Sequence, residues 1–447
     1  LKGYVTSRAY IPPQSLSNGR LIIKVVEGKL GELDIRGNQH FKSDLLRNYV
    51  DLEPQGYFDY SALQRALVYI NEHPDRTARI ILVPGKVPGT TDLVLDVEDR
   101  LPIHVGFEYD NFASRYLKEN RFALTLEHNN LFGFDDRLFL KGQLSEDTLL
   151  ELYQIRYVFP INKTWDVGFY VLNVDTELGK EFKSLKAEGD AFLAGIFASK
   201  QLLYRDDLEL RLNIGFDYKD IENHLLGVKT SEDNLRVFKI GLDVDANDRW
   251  GRNIFTTEFD FGLDDFLGAS DAKDPMASRL GAGGKFHKWM FHFFRLQPMP
   301  YESYILWKNS AQISNHNLAA SEQFQIGGPT SVRAYAPAEY SGDRGIYSSI
   351  EWSFPLYFLP DDWKVPYREE TWYESLKWVI FYDIGFVDVK NPLPGEETTE
   401  TLKGYGTGIR MNVKDDIEIR VEAAWPIGDR SEDGNRTHLW FEFRIKF

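Results

Sequence analysis

The last ten residues, HLWFEFRIKF, alternate with period two. Leu439, Phe441, Phe443, Ile445 and Phe447 share one face, and His438, Trp440, Glu442, Arg444 and Lys446 share the other. The pattern recurs along most of the chain. Residues 208–218 set Leu208, Leu210, Leu212, Ile214, Phe216 and Tyr218 against Glu209, Arg211, Asn213, Gly215 and Asp217. Residues 417–425 set Ile417, Ile419, Val421, Ala423 and Trp425 against Glu418, Arg420 and Glu422, and residues 103–109 set Ile103, Val105, Phe107 and Tyr109 against His104, Gly106 and Glu108. No apolar run reaches the roughly 18 residues that a membrane-spanning helix needs. A mean hydropathy of −0.38 still suits strands that show apolar residues to lipid and polar ones to a lumen. Strands of a soluble sandwich are short, whereas these run to roughly ten residues, enough for a tilted strand to cross a bilayer. The expectation is an all-β transmembrane barrel.

The connections from residue 101 onward support it. Short links are expected at 129–136, 160–164, 199–206, 246–252 and 414–416, interleaved with longer polar ones at 175–187, 219–234, 264–277, 313–344, 387–403 and 426–437. Short periplasmic turns and long outside loops are the outer-membrane arrangement, and about 16 antiparallel strands bring both ends of the barrel to the periplasmic side. The link at 356–375 is too long for such a turn and has no account in this scheme. Trp165, Tyr218, Trp250, Trp352 and Trp425 near strand ends suit interfacial girdles.

Before residue 101 the texture changes to strand (32–36), helix (43–50), helix (59–71), strand (77–83) and strand (91–97), a β-α-α-β-β module. Ser43 is expected to cap the first helix and Asp59 or Ser61 the second. Residues 1–27, with two strands around Pro12-Pro13 and Asn18-Gly19, read as the end of a preceding module, so the chain is expected to be truncated at its front. A net charge of −16 and no basic face argue against a nucleic-acid partner. With no cysteine, disulfides, thiolate metal sites and cysteine nucleophiles are excluded. Leu1 is not a start methionine and no leader pattern precedes the first strand.

The module-plus-barrel order resembles a POTRA domain ahead of an outer-membrane channel, as in the BamA and TpsB superfamily. More narrowly, GYVTSRAYIPPQSLSNGRLIIKVVEG, HPDRTARIILVPG and GGPTSVRAY resemble the two-partner secretion transporters, the ShlB/FhaC/HecB haemolysin-activator group. The domains are then expected to be 1–27, the C-terminal part of a first POTRA domain; 28–100, a POTRA domain; and 101–447, the barrel, with loop 313–344 folding inward. That family's arginine motif often reads V-R-G-[FY], and here Ala334 replaces the glycine. The loop motif comprises Gly327, Gly328, Val332, Arg333, Ala334 and Tyr335.

On residues 378–386, Trp378, Ile380, Tyr382, Ile384 and Phe386 form an outward apolar face, which turns Phe381, Asp383 and Gly385 into the lumen. On 345–355, Ile346, Ile350, Trp352 and Phe354 point outward, and Tyr347, Ser349, Glu351 and Ser353 inward. A loop of about thirty residues exceeds what closure requires and is expected to be functional. Arg333 is therefore expected to grip Asp383 with a bidentate pair, Glu351 being the other candidate. The resemblance implies the same pairing between this loop and an F-x-D-x-G motif, Phe381, Asp383 and Gly385 here.

The resemblance further implies export of a large unfolded partner exoprotein without ATP, by type V secretion, with the POTRA module capturing the partner's N-terminal secretion domain by strand addition. Helix 59–71 and strands 77–83 and 91–97 would line that site, with Leu63, Leu67, Ile80 and Leu82 as apolar contacts. Outer-membrane lipid is the other partner, and the protein is expected to act as a monomer. Neither a cofactor nor a metal is expected. Gly404, Gly406 and Gly408 recur with period two ahead of a strand, so they thin a barrel wall and do not cradle a nucleotide. His287 and His292 are expected to face opposite sides, SDAKDP reads as a solvated loop, and no catalytic constellation is found. A BamA-like assembly factor and a diffusion porin remain alternatives.

Overall fold

The computed structural model describes residues 7–14, 19–50, 60–392, 397–414 and 416–447. They fall into two compact bodies: Leu1–Ile103 with Glu127–Arg137, and His104–Leu126 with Leu138–Phe447.

In the first body β1 (Arg8–Tyr10) pairs antiparallel with β2 (Lys24–Val26). There follow β3 (Lys29–Arg36), α1 (Ser43–Tyr49), α2 (Tyr60–Asn71), β4 (Arg76–Pro84) and β5 (Thr90–Asp99), with β5 central between a parallel β3 and an antiparallel β4. The order of elements is the expected one. Leu63, Ala66 and Ile70, spaced to fall on one stripe of α2, bury against Leu93, Leu95 and Val97 of β5 and Leu46 of α1. Ser43 does not cap α1. The cap position is Lys42, which makes no side-chain capping bond, and Ser43 is the first helical residue, its hydroxyl accepting from Asn38 Nδ2 at 3.1 Å. The approach to the helix is ordered instead by Asp99 of β5, whose carboxylate accepts from the backbone N–H groups of Gln39, His40 and Phe41. Asp59 lies outside the described residues, and Ser61 sits inside α2.

The same body contains a buried polar cluster. Arg76 donates two bonds of 2.6 Å to Asp135, which also accepts from the Tyr49 hydroxyl at 2.6 Å. His73 Nδ1 accepts from the Asp75 N–H at 3.1 Å, so the proton rests on Nε2, which donates to the Asn129 carbonyl at 2.7 Å.

Sixteen strands close into an antiparallel barrel. They are β6 (Ile103–Asp110), β7 (Arg121–His128), β8 (Arg137–Ser145), β9 (Leu150–Asn162), β10 (Trp165–Glu177), β11 (Glu188–Arg205), β12 (Leu208–Leu225), β13 (Val228–Asp248), β14 (Gly251–Gly262), β15 (His287–Met299) and β16 (Ser303–Ser314), then β19 (Arg344–Pro355), β20 (Leu376–Asp388), β21 (Thr399–Val413), β22 (Ile417–Pro426) and β23 (His438–Lys446). The missing numbers, β17 (Phe324–Ile326) and β18 (Tyr340–Gly342), form a small hairpin inside the connection from β16 to β19. Closure is made by β23 against β6, with Glu442–Lys446 paired to Gly106–Asp110. Along β19, Tyr347, Ser349, Glu351 and Ser353 are buried while Ile346, Ile350 and Trp352 are exposed, as expected for a polar lumen and an apolar exterior.

One long loop expected from the sequence does not exist. Residues 219–234 are strand except for Leu226-Gly227, a two-residue turn with φ of 52° and 76°. β12 and β13 pair over 18 and 21 residues, so polar residues that resembled a loop are the continuation of a hairpin. The unexplained 356–375 link is an ordered connection between neighbouring β19 and β20. It ends in α3 (Trp372–Ser375), where Thr371 and Glu374 form a capping box, and Val365 and Trp372 pack with Met411, Val413, Ile417 and Ile419.

A loop pinned inside the barrel

The connection between β16 and β19 runs from 315 to 343 and turns into the lumen. The β17–β18 hairpin sets its two limbs side by side, and Gly327 and Gly328, at φ of 104° and 92°, reverse the chain. At Gly327 a Cβ would lie 2.4 Å from the Ala336 carbonyl oxygen, so only glycine fits. The turn closes with hydrogen bonds from Gly328 N to Tyr335 O and from Tyr335 N to Val332 O. Ala334 is absent from the residues of positive φ, so its methyl group strains no backbone.

Arg333, 2% exposed, is the centre of the site. Its Nε donates to Asp383 Oδ2 at 2.8 Å and Nη2 to Oδ1 at 2.7 Å, a bidentate pair, and its backbone N–H donates to Oδ2 at 3.2 Å. Nη1 lies 2.8 Å from Glu351 and donates to Glu422 at 3.2 Å, and Nη2 reaches Ser349 Oγ at 3.0 Å. The guanidinium carbon stands 3.4 Å from the centre of the Phe381 ring, and Trp440 Nε1 donates to the Arg333 carbonyl at 2.7 Å. Burial works against the charge, yet Asp383, Glu351 and Glu422 hold the guanidinium pKa well above its ordinary value. Arg410 in turn bonds Glu351 and Glu422, Lys308 donates to Glu351 at 2.8 Å, and Arg420 meets Glu422 at 3.0 Å. The carboxylates of the wall thus sit between the loop's cation and the wall's own.

Glycines make room for this seat. A Cβ on Gly404 would lie 2.4 Å from Cβ of Ala334, one on Gly385 2.8 Å from Cγ2 of Val332, and one on Gly406 2.2 Å from the Phe381 ring. The F-x-D-x-G motif therefore supplies a ring beneath the guanidinium, its carboxylate and a gap in the wall for the loop. The period-two glycines of β21 thin the wall where the loop and its supporting ring press against it.

Glu422 was not singled out as a partner of Arg333, although its inward position on β22 follows from the alternation. Glu322 was missed altogether. It lies in a 3₁₀ turn, Ala320–Glu322, 2% exposed, and accepts from Lys219 of β12 at 2.7 Å and Lys288 of β15 at 2.6 Å. Of the apolar contacts proposed on the module, Leu63 belongs to the core and Leu67 and Ile80 pack against it, so Leu63 has no face left to offer; Leu82 is 39% exposed. His287 sits edge-on to His316, and His292 Nδ1 is 2.9 Å from Ser310 Oγ. No group suited to a metal occurs among the described residues.

The profile of a family described as haemolysin secretion/activation protein ShlB/FhaC/HecB matches residues 89–411, and that of a POTRA domain, ShlB-type, matches residues 1–28. The chain is 24% identical over 368 residues to the outer membrane transporter CdiB of Dickeya dadantii, covering 80% of this chain and 64% of that protein. It is 20% identical over 449 residues to the heme/hemopexin transporter protein HuxB of Haemophilus influenzae, covering 98% and 77%. Among solved structures, CdiB from Escherichia coli superposes with a TM-score of 0.80 at 21% identity, covering 100% of this chain and 81% of that one. BamA from Haemophilus ducreyi lacking POTRA domains 1–3 gives 0.66 at 12% identity, covering 100% and 90%.

Proposed function

The chain belongs to the ShlB/FhaC/HecB family, and from that premise we propose that it is an outer-membrane channel that exports one large, unfolded partner protein without nucleotide hydrolysis. The observation that carries the reading is the loop seated in the lumen by Arg333, a device that a passive diffusion pore does not need. Relatives described as outer membrane and heme/hemopexin transporters support it. The barrel exterior faces outer-membrane lipid, its ends lie toward the periplasm, and residues 28–100 act there as a POTRA domain, preceded at 1–27 by part of another.

Client capture on this reading uses backbone pairing at a sheet edge. β5 is central and paired on both sides, so it takes no further strand; β4 is an edge strand with Ile81 and Leu82 exposed. An extended segment of the partner adds along β4, and folding of the partner outside the cell then prevents its return. The test is export of the partner protein by cells carrying Arg333→Ala. We expect an inserted barrel of normal abundance and export reduced at least about tenfold, since breaking a buried charge pair costs on the order of 3–5 kcal/mol. Undiminished export would remove the role given to the loop.

A further inference from the structure

We propose that the lumen loop is held by two anchors of opposite charge, with Glu322 the releasable latch and Arg333 the pivot that stays seated; the inference rests on the channel reading above. Glu322 bridges Lys219 and Lys288, strands apart on the wall, and Gln312 Nε2 donates to its carbonyl at 3.0 Å. Arg333 grips β19, β20 and β22. The loop is therefore fixed to two arcs of the barrel, β12 to β16 and β19 to β22.

The two anchors differ in what they leave behind on release. Around the latch the wall is already balanced: Lys219 lies 3.9 Å and Lys239 3.0 Å from Asp217, Lys239 lies 3.3 Å from Glu258, and Lys288 lies 3.5 Å from Asp260. Three lysines face three wall carboxylates before Glu322 is counted. Asp260 is fully buried and, among the described residues, neither of its oxygens has a hydrogen-bond partner, so an unused acceptor waits beside Lys288. Withdrawing Glu322 lets Lys288 turn to Asp260 and Lys219 to Asp217, and no wall charge is orphaned.

At the pivot the opposite holds. Among the described residues Arg333 is the single cation on Asp383, which is fully buried, so removing Arg333 strands a carboxylate in the wall. Contacts to three carboxylates, the Phe381 ring and the glycine sockets all have to be given up together, whereas the latch consists of flexible single-point ammonium donors. Asp343 at the end of the loop accepts from the Leu318 N–H at 2.8 Å and from Arg279 at 2.7 Å, so the freed segment begins after Leu318. Opening starts with Ala319–Gln323 on the β12–β15 side, while Phe324–Ile326, packed with Val332 and Ala334 against Gly345 of β19 and Gly385 of β20, and Gly327–Tyr335 keep their place.

Hydrogen exchange of the full chain in lipid vesicles, read by mass spectrometry on segments 319–323 and 329–336, tests this. Glu322→Gln should speed exchange in 319–323 by at least about tenfold and leave 329–336 unchanged, because local opening sets the rate. Glu322→Asp, which keeps the charge but shortens the side chain, should exchange more slowly there than the isosteric Glu322→Gln, the reverse of what a merely space-filling role predicts. If Glu322→Gln fails to insert, Lys219→Gln is read in the same way. Acceleration of both segments together, or of neither, overturns the proposal. No client is present, so a failure of the export assay bears on the channel reading alone and a failure here on the latch alone.

Discussion

Arg333 divides its guanidinium among Asp383, Glu351, Glu422 and Ser349, and a lysine ammonium cannot reproduce that fork. Arg333→Lys should therefore lose most of the export lost by Arg333→Ala, although the charge is kept; export equal to wild type would show that charge alone suffices. The close fit between Ala334 and Gly404 gives a second prediction. Gly404→Ala pushes two methyl groups together and should destabilise the loop seat by about 1–3 kcal/mol, as overpacking does. Ala334→Gly should rescue it, with export and thermal unfolding of the inserted barrel as the two measurements. Much of this seat was legible: alternation turned Asp383 and Glu351 inward, and the length of the loop drew attention to Arg333. Glu422 was less so, because alternation assigns a face but not which inward residues of a closed ring meet. Glu322 lies on an aperiodic loop, where no pattern marks a buried carboxylate.

Among the elements, the β12–β13 hairpin shows where pattern reading failed. Dense polar residues point to a loop, yet strands that continue to a two-residue turn carry polar residues on both faces, and Leu226 is no turn signal. Its φ of 52° is unfavourable for a leucine. Leu226→Asn, creating an Asn-Gly turn, should stabilise the hairpin tip by about 1 kcal/mol, seen as slower hydrogen exchange near 222–231; faster exchange would refute the assigned turn. The α2–β4 connection carries a pH prediction. Burial lowers the pKa of His73 below its ordinary value. The unfolded chain therefore binds the proton more readily than the folded one, and stability falls as pH drops through the unfolded value of about 6.5. Exchange in α2, corrected for its intrinsic pH dependence, should rise between about pH 7.5 and about pH 5.5, and His73→Gln should flatten that rise.

For the whole molecule, period-two alternation and connection lengths sufficed for a closed barrel of the right strand number, because a wall between lipid and water imposes the same constraint on every strand. The 356–375 link escaped that logic, since its packing partners lie at 411–419, far along the chain. The seated loop and the edge strand β4 are the two features on which the proposed passive conduction rests. The most direct test reconstitutes the full protein in liposomes and adds the denatured partner on the side of the POTRA module, with no nucleotide present. The account predicts partner protein appearing in the opposite compartment, reduced by Arg333→Ala; vesicles that conduct ions through an inserted barrel yet never pass the partner would contradict it.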